Sequence, residues 1–297
     1  MSSITAFLAT LSNPINALLA ALAVLTGTYV MGWSKSENGP TLLEVAIGAV
    51  TNFFDSLGIG SFATTTALFR AFKLVPDRVI PGTLNVGHTL PTVAQAFIFT
   101  AVIPVDVTTL FSMIAAAVLG AWLGAGIVAK WPKQKVQMGM GSALLAAATF
   151  FTMRNLGLFP AGSDAIGVTG LALILAVIGN FLLGALMSLG IGLYAPCMIL
   201  VSLLGMSERT AFPIMMGSCA FLMPVGSLKF IREKAYSLRA ALGLAIGGIP
   251  GVLVAALIVK SMDLVKVRWL VIVVVIYTAI TMLYAAFTAT AEPPART

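Results

Sequence analysis

The chain has 297 residues, 59% of them hydrophobic and 9% charged, with a mean hydropathy of +1.04. Soluble domains carry about 25% charged residues, so the composition excludes an ordinary soluble domain and indicates an all-α polytopic membrane protein with the lipid bilayer as its solvent. The net charge of +7 is not a nucleic-acid footprint, because the Lys and Arg residues occupy short gaps between apolar runs, where the positive-inside rule places them.

Residues 1–40 hold an N-terminal stretch, a first spanning helix and a loop. Met1 to Asn13 lacks a basic n-region, so no cleaved signal peptide is expected. Pro14 to Trp33 is long enough to span, and Tyr29, Trp33 and Lys35 mark an interface. A polar loop then ends at the helix breaker Pro40.

Residues 41–154 read as a first repeat. Thr41 to Phe72 is an interrupted apolar run, helical to Leu57, loosened at Gly58-Ile59-Gly60 and able to resume from Ser61. Arg70, Lys73 and Arg78 mark water. Spans are expected over Thr83–Val102, Val107–Ala129 and Val136–Met153, with Gly120 and Gly124 at a spacing that lets helices approach closely. Residues 155–165, with Gly157, Pro160 and Gly162, are a linker.

Residues 166–288 read as a second repeat. Ile166 to Leu204 is interrupted at Gly190-Ile191-Gly192. Further spans are expected over Ala211–Leu228, Leu238–Val259 and Val267–Phe287. Lys229 to Lys234 reads as a solvated loop, and the tail 289–297, with two prolines, as disordered. The halves share landmarks at near-constant spacing. Gly58 and Gly60 find Gly190 and Gly192 at an offset of 132, Pro81 finds Pro213 at 132, and Ile127-Val128 finds Ile258-Val259 at 131. An internal repeat with interrupted helices in matching places points to a transporter site.

The broken segments can cross the membrane or turn back as re-entrant hairpins. Hairpins divide the Lys and Arg residues 12 against 5, and crossing segments divide them 7 against 10. The hairpin arrangement has the cleaner bias. It makes the repeats inverted and puts the C-terminus in the cytoplasm. Against it, Ile166 to Leu189 is long enough to cross.

Non-helical backbone in lipid survives only where protein, water or a solute satisfies it. Helices resuming near Ser61 and Leu193 would present free N–H groups and roughly half a positive charge at mid-membrane. The expected ligand is a small anion held between Gly60-Ser61-Phe62 and Gly192-Leu193-Tyr194, beside the hydroxyls of Thr64 and Thr65, with Gly58 and Gly190 completing the breaks. Asp55 has two readings: a proton-coupling group, or a protonated carboxyl bonded to Asn52 or to freed backbone. His88 shares a polar helix face with Asn85, Thr89, Thr92 and Gln95, and lining a pore and packing are both open for it. Glu44 and Glu208 are expected at interfaces, and Asn180 facing the bundle.

Cys197 and Cys219 have no metal-ligand spacing and read as small buried hydrophobes. No metal, cofactor or nucleotide loop is indicated. A catalytic set of Cys197, His88 and Asp55 lacks supporting local spacing, so no enzymatic activity is expected. The readings are a secondary transporter of a small anion by alternating access and, as alternatives, an anion channel or a transporter of an unrelated small solute.

With Asp55-Ser56-Leu57-Gly58-Ile59-Gly60 in one half and Leu189-Gly190-Ile191-Gly192, followed by Pro196, in the other, the chain resembles the TauE/SafE sulfite-exporter family of bacterial membrane transporters. That family carries a glycine-rich element in each half, commonly a longer glycine run followed by proline. Here Ser61 and Leu193 follow the second glycine, and Thr64 stands where the first copy would have proline. The resemblance covers most of residues 41–287. It implies a multi-pass protein of the bacterial inner membrane that moves small sulfur-containing anions such as sulfite or organic sulfonates.

Overall fold

The computed structural model describes residues 13–31, 39–124, 132–156, 158, 164–187 and 192–288. The stretch before Asn13, the 32–38 loop, Gly190, most of the linker and the tail 289–297 lie outside the described residues. Every regular element among those described is helical: α1 Pro14–Met31, α2 Leu42–Ser56, α3 Ser61–Ala71, α4 Ile80–Val102, α5 Val107–Leu119 with a π-turn over Gly120–Gly124, α6 Lys133–Asn155, α7 Gly170–Met187, α8 Tyr194–Leu203, α9 Ala211–Arg232, α10 Leu238–Ser261 and α11 Leu264–Thr288. Five segments, Pro14–Met31, Gly170–Met187, Glu208–Arg232, Leu238–Val259 and Val265–Thr288, are long and apolar enough to cross a membrane. The chain is a membrane-embedded helical protein.

Local chemistry sets the helix starts. Thr41 and Glu44 form a capping box on α2, the Thr41 hydroxyl accepting from the Glu44 N–H and the Glu44 carboxylate from the Thr41 N–H, so two orphan donors are satisfied at once. Pro81 stands in the first turn of α4, where its missing N–H costs nothing. The Asp106 carboxylate accepts from the Thr109 N–H at 2.8 Å to open α5, and Ser237 caps α10.

Small residues set the pairing. α2 packs on α10, where a Cβ on Gly247 or Gly251 would run into the carbonyls of Val45 and Ala49. α5 packs on α7 in the same way, with Gly184 against Ala117 and Gly120 against Phe181. α9 packs on α4, and α11 on α6.

Contacts at the helix termini define two ends of the bundle. At the first end, the starts of α2, α4 and α10 converge. Arg239 pairs with Glu44 at 3.0 Å, and the Ser237 N–H donates to the Thr83 hydroxyl at 2.9 Å. At the second end, the starts of α5 and α7 converge, the Asp106 N–H donating to the Ile166 carbonyl at 2.8 Å. The end of α10 lies there too, since the Arg209 guanidinium donates to the Met262 carbonyl.

Both interrupted segments fold back. Thirteen residues of continuous helix would separate Asn52 from Thr65 by about 20 Å; instead both bond the ring of His88. Farther from the break, Ile47 and Phe69 share one apolar cluster with Leu84 and Leu244. α3 therefore returns beside α2 toward the first end. In the second half, Leu200 of α8 seats on Gly179 of α7, and the Ser207 N–H donates to the Ala165 carbonyl at 2.8 Å. The start of α7 and the end of α8 thus lie together at the second end, and Met198 of α8 lies against Gly58 inside the bundle.

Two expectations need correction. The Lys229–Arg232 part of the expected loop is the last turn of α9, and the chain leaves the helix only at Glu233-Lys234, where Lys234 has a φ of 51°. Glu44 and Glu208 are buried rather than interfacial, at 0% and 2% exposure; for Glu44 the capping box and Arg239 make burial tolerable. Asn180 faces the bundle as expected, buried and donating to the Met113 carbonyl and the Ser218 hydroxyl.

Candidate functional site

The first break supplies most of the polar groups. Leu57 to Gly60 connects α2 to α3, with Gly58 at φ 96° and Gly60 at φ 86°, conformations that disfavour any side chain with a Cβ. The turn delivers Asp55, in the last turn of α2, to the start of α3. Its Oδ1 accepts from the Ser61 N–H at 2.7 Å. Its Oδ2 accepts from Gln95 Nε2 at 2.8 Å. Asp55 is 4% exposed, and both of its oxygens accept from N–H donors, so its hydrogen bonds are those of a carboxylate.

This arrangement revises two expectations. The Ser61 amide is not open to a guest, because the chain's own carboxylate occupies it; a helix N-terminus favours a nearby anion, and Asp55 is that anion. Asp55 also does not bond Asn52. The Asn52 amide donates to the Gly48 carbonyl at 2.8 Å, which turns its Oδ1 toward His88 Nδ1 at 3.1 Å. The proton of the ring therefore sits on Nδ1, and Nε2 accepts from the Thr65 hydroxyl at 3.0 Å, a neutral imidazole assigned by its partners. Phe62 lies over the ring, with centroids 5.8 Å apart.

The second break is reached through α4. Gln95 donates to Asp55 and to the Ser56 hydroxyl, at 2.8 Å and 3.0 Å. Its Oε1 accepts from the Tyr194 hydroxyl at 2.9 Å. Tyr194 is the first residue of α8, and Leu193, its N-cap, provides no side-chain cap. Ser61, Asp55, Gln95 and Tyr194 thus form one buried hydrogen-bonded line joining the starts of α3 and α8. Among the described residues, nothing lies within 4 Å of where a Cβ would stand on Gly60 or Gly192.

Of the residues singled out from sequence, Asn52, Asp55, Gly58, Ser61, Phe62, Thr65, His88 and Tyr194 gather here. Thr64 is turned to its own helix, donating to the Ser61 carbonyl. Asn85 donates to the Pro81 carbonyl on an exposed turn of α4, and Thr89 faces α9 through Ser227; the expected stripe twists away from the site at its N-terminal end. Gly190 lies outside the described residues. Gln95, which the sequence marked only as one member of that stripe, is the bridge. Its place seven residues after His88 was the available signal. Family models, curated proteins and solved structures provide no match to this chain.

Proposed function

We propose that the chain is a secondary transporter of small anions, working by alternating access at the level where the two breaks meet. The observation that carries this reading is the buried line Tyr194–Gln95–Asp55–Ser61. It ties the starts of two short helices to one crossing helix, and it needs no basic residue.

The halves are read as an inverted duplication with two re-entrant hairpins. In support, Asp77 and Glu208, Ile80 and Ala211, Val107 and Leu238, and Lys133 and Leu264 begin matching elements, each pair 131 residues apart. The pairing of α2 with α10 repeats as that of α7 with α5, and the hairpins open at opposite ends. α7 alone is long enough to cross, but the return of Ser207 to Ala165 brings its partner arm back to the same end. The first end then collects 12 of the 17 basic residues and is the cytoplasmic side of a bacterial inner membrane, with the C-terminus on it.

The anion meets the start of α8, which no side chain caps, in the space beside Gly60 and Gly192. Asp55 supplies the coupling. While charged it holds the Ser61 N–H; a proton arriving on the carboxyl weakens that hold and removes the repulsion toward a second negative charge. Proton and anion then favour each other's binding. The resemblance to the TauE/SafE family supports sulfite or an organic sulfonate as the cargo.

The test is flux in proteoliposomes. Sulfite or methanesulfonate uptake driven by an imposed pH gradient is expected in the parent protein. Gln95→Leu, which cuts the line at its centre, is expected to lower it by at least about tenfold, the effect of one buried hydrogen bond to a charged group. Equal flux in parent and variant would remove the site from the transport path.

A further inference from the structure

We infer that a cavity at the second end of the bundle is a vestibule for a short-chain organic anion, whose charged head meets Arg209 and whose hydrocarbon part lies along α4. This deepens the transporter reading and rests on it for the destination of the ligand, though binding in the cavity requires no transport.

The cavity has a volume of about 350 Å³. Its lining combines the apolar side chains of Ile98, Phe99 and Val102 of α4 and Val259 of α10 with the polar ones of Arg209 and Thr210. Ile98 to Ile103 covers about 8 Å of chain along α4, so the cavity reaches inward from the helix ends. Its inner part, at Phe99, stands one helical turn beyond Gln95. At the first end, by contrast, Glu44 and Arg239 pair, and the Ala235 carbonyl lies where a Cβ on Gly82 would stand.

Arg209 is held for recognition. One of its N–H groups is bound by the Met262 carbonyl, which anchors the guanidinium and leaves the rest of its five donors. Among the described residues no carboxylate pairs with it. Asp164, on the same lining, is exposed and makes no ion pair with Arg209. An anchored guanidinium suits two-point recognition of a sulfonate or carboxylate head. The apolar side chains of the lining disfavour a bare, fully hydrated inorganic ion, whose water they cannot replace, and reward a few methylene groups. The ligand class is therefore a monovalent organic anion with a short alkyl chain.

The test is calorimetric titration of the full chain in detergent with linear alkanesulfonates and with inorganic sulfate. Affinity is expected to rise about fourfold per methylene and then level off once the cavity is full. Arg209→Gln is expected to weaken butanesulfonate by at least about tenfold. Because Arg209 also holds the Met262 carbonyl, a second variant acts from another wall: Val102→Trp, at a position 40% exposed, fills the opening and is expected to abolish binding with an unchanged melting temperature. Sulfate binding as tightly as butanesulfonate would overturn the inference. So would a variant that binds like the parent, or an affinity that keeps climbing to dodecyl chains, which would mark a lipid site. Butanesulfonate binding without any flux would sink the transporter reading and leave the vestibule; flux without butanesulfonate binding would do the reverse.

Discussion

The two breaks begin as near copies in sequence and end as different objects. In the first, Asp55 returns from the last turn of α2 to cap α3, so the helix start carries its own anion. In the second, no acid precedes the turn and no side chain caps α8. A helix start has the same partial charge in both places. What differs is whether the chain has already neutralised it. On the proposed transport reading, the first break would sense charge and the second receive it, with Gln95 joining them.

The sharpest way to break this contrast is to remove the cap. Asp55→Ala leaves the Ser61 N–H and one N–H of the Gln95 amide without an acceptor, at about 1–3 kcal/mol for each buried group, while the Ser56 hydroxyl still accepts from Gln95; a lower melting temperature and loss of pH-driven flux are expected. Asp55→Asn preserves shape and is expected to move anion down its own gradient with no response to pH. Persistent pH-driven accumulation in that variant would contradict a coupling role.

Next come the glycines of the first turn. Gly58→Ala combines a positive φ, costing about 1–2 kcal/mol, with displacement of the Met198 methyl, which lies 2.8 Å from the new Cβ. Gly60→Ala meets no steric neighbour among the described residues, but at φ 86° and ψ 134° its backbone lies close to a region essentially restricted to glycine. Thermal melts should therefore fall for both variants, whereas flux should fall further in Gly60→Ala, whose methyl enters the open space.

Tyr194→Phe is a smaller change. It removes one hydroxyl and leaves Gln95 Oε1 unpaired, for about 1 kcal/mol. A flux reduction of about fivefold is expected, with Asp55 still coupled. An unaltered rate would place the second break outside the line.

Asp263 calibrates the comparison, being a carboxylate at a helix start surrounded by water. It accepts from the Lys266 N–H at 2.8 Å and pairs with the Lys266 ammonium at 2.9 Å. The Lys266 side chain, ahead of its backbone N–H, holds the Asp263 carboxyl below the ordinary carboxylate range. Because the folded-state value is the lower one, its contribution is complete above the unfolded value and fades as pH falls through the folded one. Asp263→Asn should therefore give a small loss of melting temperature at neutral pH that closes in acid, as pH falls below the ordinary carboxylate range.

Much of this was legible in the residues alone. Five of the expected spans followed from apolar length, the breaks from Gly58-Ile59-Gly60 and Gly192, and the burial of Asn52, Asp55 and His88 from polar groups that lipid would not accept. Asn85 misled because a helix face is a spacing rule, and spacing does not say where the neighbouring helices stop covering it. Glu44 misled because its partner Arg239 lies 195 residues away, and no local pattern announces such a pair.

Composition and periodicity by themselves determined that this chain lives in a membrane, that its helices are apolar, and that it unwinds twice. Those are properties of segments meeting a solvent, and each segment carries them alone. Which amide Asp55 accepts from, which residue bridges the breaks, and where a cavity opens beside Arg209 were decided only when glycine-lined helices closed on one another. Backbone approach sets those distances, and it belongs to pairs of helices rather than to any one stretch of sequence.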